Sequence, residues 1–159
     1  MNTFTARGTC HEAGHAVVAL HFGFRAEGIW LREGRLMLQV PPECDRDAEK
    51  WCVFLAGGIA AEQLVFGKYD VEGSTDDRNK IGESCGGAIG NYLAEAERII
   101  RSHESCLQQL RKELLVECMG VQGLSQLGAN PAAASEDSAL LLLSRDRIED
   151  IWKRCPQNA

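Results

Sequence analysis

His11-Glu12-Ala13-Gly14-His15-Ala16-Val17-Val18-Ala19-Leu20 decides how the rest of the chain is read. Apolar residues surround the two histidines, so the segment reads as a helix buried on nearly all sides. His11 and His15 stand at i and i+4, and their imidazoles leave one face of that helix. H-E-x-x-H is the spacing with which two histidines hold a zinc ion. Glu12 sits about 100° round the helix. From there its carboxylate can take a proton from a metal-bound water, and it is not placed to join the ligands in the same geometry. Two histidines and a glutamate buried without partners would be costly. A metal and its water satisfy all three.

Working outward, the first helix is expected from about Thr3 to His21, with Gly23 as its stop. Ile29-Trp30-Leu31 and Leu36 to Val40 flank Glu33-Gly34 and read as a hairpin, ended by Pro41-Pro42. A second helix is expected from Asp45 to Phe66. Trp51, Leu55, Ile59, Glu62 and Val65 form one stripe on it, and Gly57-Gly58 and Ala60-Ala61 make it thin enough for another helix to approach. Gly67 is its expected stop. Ser74 or Thr75 caps a third helix with Asp76 and Asp77 in its first turn. Gly82, Gly86, Gly87 and Gly90 weaken any continuous helix over that third segment. A long helix is expected from Asn91 to Glu117, a loop over 119–138, and a last helix from Ser144 with Ile148, Ile151 and Trp152 on its buried side. The fold class is therefore mainly α, of the α+β kind, with a small β-hairpin or sheet.

At 159 residues the chain reads as a single domain, 1–159, able to bury a core of its own. A net charge of −6 argues against nucleic acid or an anionic membrane as partner. The longest apolar run, Trp51 to Ala56, is too short to span a bilayer, and no signal peptide is recognisable. The seven cysteines are odd in number and form no C-x-x-C pair. They read as reduced, mostly buried thiols, which points to a cytoplasmic protein. Cys10 neighbours His11, but adjacent helical residues do not share a face.

A catalytic zinc takes three protein ligands and leaves a fourth position open. His103, set among Arg101, Ser102 and Glu104, reads as a solvated histidine. His21 is turned about 120° from the ligand face. Glu62, a carboxylate on an apolar stripe, and Asp77, an acid in a first turn, stand as equal candidates, with Asp76 behind them.

Three pieces of the chain resemble the peptidase domain of the FtsH family of AAA+ zinc metalloproteases. These are His11 to Ala16, then Leu55-Ala56-Gly57-Gly58 with Ala61-Glu62 and Leu64 to Gly67, then Gly73-Ser74-Thr75-Asp76-Asp77. Ala96 to Ile100, with Leu107, Leu110 and Leu114, is similar to the family's long helix after the active site. Leu143-Ser144 with Ile148 to Ile151 more faintly resembles its closing helix. The resemblance covers residues 7–153. It implies Zn2+ held by His11, His15 and Asp77, with Glu12 as catalytic base and Glu62 as a supporting acid behind the ligands. It implies peptides or unfolded proteins as substrates, lying along an edge strand at Leu36, Met37 and Leu38. The family joins this domain to a membrane anchor and an ATPase, for which these 159 residues carry no counterpart. The expectation is a stand-alone metalloendopeptidase domain, as a homo-oligomer or beside a separate ATPase. Ile59 replaces a frequent arginine, and Gly82 to Gly90 replaces a longer family segment. The competing expectation is a catalytically silent, metal-stabilised module that binds peptides or a partner.

Overall fold

The computed structural model describes residues 3–42, 47–85, 89–126 and 139–157. Helix α1 runs Thr3–His21 and carries the H-E-x-x-H segment at its middle. It ends as its sequence dictates. Gly23 takes φ +76°, and Phe24 N–H reaches back to Ala19 C=O at 2.8 Å and Gly23 N–H to Leu20 C=O at 3.1 Å. This pair of bonds is the Schellman closure of a helix.

Strands β1 (Gly28–Arg32) and β2 (Arg35–Gln39) form the expected hairpin. Glu33 and Gly34 both take positive φ, as a two-residue turn of type I′ requires. Helix α2 spans Ala48–Phe66, capped by the Asp47 carboxylate on Lys50 N–H and stopped by Gly67 at φ +76°. Its expected start, Asp45, lies outside the described residues. From Cys52 to Glu62 every residue of α2 is buried, so this helix is the centre of the fold rather than an amphipathic cover.

The α1–α2 contact explains the small residues. A methyl on Gly14 would lie 2.3 Å from Gly57 O, and one on Gly57 would lie 2.9 Å from Gly14 O. Backbone touches backbone here, and only glycine permits it. Helix α3 (Thr75–Cys85) follows. Ser74 precedes it, but its hydroxyl donates to Val71 C=O and accepts from Arg78 Nε.

The expected helix from Asn91 to Glu117 is broken. Helix α4 covers Ile89–Ser102 and α5 covers Glu104–Gln126, with His103 at the joint. The break has a tertiary cause. His103, read as solvated, is only 5% exposed; its ring lies 4.5 Å from that of Trp152, and its Nε2 is 3.1 Å from His21 Nδ1. The joint lets α4 pack on α2 while α5 packs on α1.

Helix α5 also consumes the start of the expected 119–138 loop; residues 127–138 lie outside the described residues. Strand β3 (Ala139–Ser144) was not expected. Its leucine run lacks the alternation that marks a strand, and only pairing with β1 makes it one. Among the described residues the sheet order is β2-β1-β3, antiparallel throughout, which leaves β2 as an edge strand. Ser144 then caps helix α6 (Arg145–Arg154), which buries Ile148 and Ile151.

Cys52 and Cys85 form a disulfide joining α2 to the end of α3, correcting the expectation of reduced thiols for this pair. Cys10, Cys106 and Cys118 are buried free thiols, and Cys155 is a half-buried one. Burial pushes Cys10 up to about 11 and, with Cys155 beside it, Cys106 up to about 12, so both stay protonated. Cys44 lies outside the described residues. Among the described residues no helix is long and apolar enough to cross a membrane.

Candidate metal centre

The one-turn spacing on α1 brings the His11 and His15 rings edge to face, centroids 4.6 Å apart. Each ring is fixed by what its Nδ1 meets. His11 Nδ1–H donates to Glu62 Oε1 at 2.7 Å, and His15 Nδ1–H donates to the main-chain carbonyl of Phe54 at 2.9 Å. A carbonyl can only accept, and an ionised carboxylate likewise. In the neutral rings both Nε2 atoms therefore bear lone pairs, and they face each other at 3.0 Å.

Asp77 completes the arrangement. Its Oδ2 lies 2.9 Å from His11 Nε2 and 3.1 Å from His15 Nε2. Three electron-rich atoms thus converge on one point, which is unfavourable unless something positive lies among them. Protons on the imidazoles can serve. Burial opposes a charge on His11, but its bonds to Asp77 and Glu62 outweigh it and push the ring up to about 10. His15 is raised despite its burial, chiefly by the charge of Asp77. Burial would raise Asp77, but the two histidines hold it far below the usual carboxylate range.

The two equal candidates of the sequence are separated by geometry. Asp77 meets both Nε2 atoms, whereas Glu62 meets only the far nitrogen of His11. Glu62 is 3% exposed and is itself held, its Oε2 accepting from Asp70 N–H at 2.7 Å and from Arg7 Nη1 at 3.4 Å. Arg7 also lies over the Phe66 ring, 4.9 Å from its centroid. Asp70 opens the turn that leads into α3, so Glu62 ties His11 to the segment that carries Asp77. Asp76 is exposed and lines the cleft without touching the cluster.

Gly58 makes room for the site. A methyl there would lie 2.5 Å from His11 Nε2, so the imidazole occupies the space a side chain would take. Glu12 leaves the helix toward β2, where its Oε2 accepts from Leu38 N–H at 2.8 Å. One of its oxygens still lies within 4.8 Å of a nitrogen on each histidine. The cluster opens into a cleft of about 660 Å³ lined by Leu36, Met37 and Leu38 of β2 and by Trp51 and Phe54 of α2, among others.

Four supporting groups were missed by sequence reasoning: the Phe54 carbonyl, Arg7, the Asp70 N–H and the Leu38 N–H. Arg7 alone was accessible to pattern reasoning, since it stands at i−4 from His11 on the same face.

Two histidines and a carboxylate thus meet on a helical scaffold beside a strand of the sheet. No known family pattern and no curated protein matches the chain.

Proposed function

We propose that this chain is a zinc metallopeptidase domain, similar to that of the FtsH family, which hydrolyses peptide bonds in peptides or unfolded proteins. The observation that carries the reading is the convergence of the His11 Nε2, His15 Nε2 and Asp77 Oδ2 atoms, with both histidine tautomers set from behind. The donor set fits the metal. Ligand atoms at 2.0–2.1 Å from a tetrahedral zinc stand roughly 3.3–3.4 Å apart, and the edges of the triangle here are 2.9, 3.0 and 3.1 Å. A spread of a few tenths of an ångström would seat the ion. Two imidazoles and one carboxylate also leave the fourth position that a catalytic zinc needs.

When bound, zinc polarises the scissile carbonyl and lowers the pKa of its water. The chain does the rest. Glu62 and the Phe54 carbonyl hold the two rings in the ligating tautomer, the usual role of groups behind a metal. Leu36, Met37 and Leu38 line the substrate cleft, and the free edge of β2 can bind an extended peptide by main-chain hydrogen bonds. Glu12 takes the proton of the attacking water and delivers it to the leaving amine.

The test is zinc content and hydrolysis of an unfolded protein by wild type and Glu12→Gln. One zinc per chain in both, with hydrolysis lost in the variant and on chelation, is expected. Equal hydrolysis by Glu12→Gln would overturn the assignment of the base. Bound zinc with no turnover in either protein would favour the silent binding module instead.

A further inference from the structure

The contact between Glu12 and Leu38 places the general base and the substrate edge on one shared donor. Leu38 pairs with Ile29 of β1, yet its N–H points away from β1 and into the cleft, where it donates to Glu12 Oε2 at 2.8 Å. The next residue shows the alternation expected of a strand: Gln39 C=O faces inward and accepts from Glu27 N–H at 2.8 Å. The main-chain groups of Leu36 and Leu38 are therefore those that an added strand would use. Of these, the Leu38 N–H is engaged, and its partner is the Glu12 carboxylate.

One N–H cannot make a full hydrogen bond to two acceptors in different directions. A peptide laid along β2 offers a carbonyl to that N–H and so competes with Glu12. Resting on the peptidase reading above, we propose that the Leu38 N–H is a positioning group with two occupants. In the free protein it holds Glu12 against the strand. When an extended substrate pairs with β2, the peptide carbonyl takes the N–H, and the Glu12 carboxylate is released for proton transfer. Strand pairing then raises the turnover rate as well as the affinity, because it frees the base only once the scissile segment is in place. A substrate too short to reach Leu38 leaves Glu12 held and is cleaved slowly. The device favours extended, unfolded chain over small peptides without any contact to substrate side chains.

The test compares a blocked tripeptide with a decapeptide containing the same scissile bond, on zinc-loaded wild type and on Leu38→Pro. Proline removes this N–H, and it is tolerated on an edge strand where the N–H takes no part in the ladder. A backbone ester at Leu38 is the second variant should proline disturb the strand, with one zinc per chain as the check on both. In wild type, kcat for the decapeptide is expected to exceed that for the tripeptide at least tenfold. In either variant the tripeptide kcat should rise and the ratio fall toward one, while KM for the decapeptide increases. A ratio that is the same in wild type and variant, or a parallel fall of kcat on both peptides, overturns the proposal while the peptidase reading stands. If wild type cleaves neither peptide, the peptidase reading falls and takes the proposal with it.

Discussion

Gly58→Ala tests whether the His11 ring is seated by the absence of a side chain on α2. The added methyl would lie 2.5 Å from His11 Nε2 and 2.6 Å from the adjacent ring carbons, where ordinary contact begins at 3.4 Å. The ring must retreat by roughly 1 Å to regain van der Waals distance. It has nowhere to go freely, since its other nitrogen is bonded to Glu62 at 2.7 Å. A metal ligand tolerates only about 0.2 Å of displacement. Zinc affinity should therefore fall at least 10- to 100-fold, the range seen when a ligand loses its support. The folding cost should be smaller. Overpacking costs about 1–3 kcal/mol, and replacing glycine inside a helix returns about 1 kcal/mol. The assay is zinc titration against a competing chelator, with thermal unfolding of the metal-free protein alongside. Gly82→Ala in α3 is the control, because nothing lies within 4 Å of its added methyl. Wild-type zinc affinity in Gly58→Ala would refute the reasoning.

Asp77→Asn should abolish stoichiometric zinc after dialysis, whereas Glu62→Gln should keep it with affinity about 10- to 100-fold lower, since Glu62 acts through His11; the reverse order would exchange their roles. Cys85→Ser, or reduction by a dithiol, opens the 33-residue link between α2 and α3. It should lower unfolding stability by about 3–4 kcal/mol, the cost of freeing a loop of that size, read as a fall in denaturant midpoint. Because α3 buries only Ile81, zinc affinity should fall with it. Burial lowers both His21 and His103; Arg98 further opposes a charge on His21, and His21 opposes one on His103. At this pair the folded state thus binds fewer protons than the unfolded chain. The stability that depends on this pair is complete above the ordinary histidine pKa of about 6.5 and is lost as pH falls through it. His11 and His15, both raised, contribute alike to wild type and His103→Phe, so between about pH 7.5 and 5.5 the urea midpoint of wild type should fall relative to that of the variant.

Features set by neighbouring residues were legible in the sequence. The stops at Gly23 and Gly67, the Glu33-Gly34 turn and the paired imidazoles follow from local geometry, and each stands where the spacing put it. Features set across the fold were not. The break at His103 exists because Trp152 and His21, far away in sequence, receive that ring; within 91–117 nothing interrupts the helical period. Strand β3 is made by its pairing with β1, not by its own leucines. Local physics left Glu62 and Asp77 equal because spacing cannot tell which of two carboxylates, 51 and 66 residues from His11, will reach which ring nitrogen. The Cys52–Cys85 bond was invisible for the same reason, as no short motif joins residues 33 apart.

The backbone contact between Gly14 and Gly57 has a consequence for how the molecule assembles. His11 and His15 lie on one side of that contact, and Gly58, Glu62 and the Phe54 carbonyl lie on the other. The rings acquire their orientation only when the two helices have closed to glycine-to-glycine distance. A chain that has formed both helices but not yet docked them holds the H-E-x-x-H sequence without the tautomers that make it a ligand pair. Zinc uptake during refolding should therefore lag helix formation and keep pace with docking, which makes the ion a clock for the arrival of the native core.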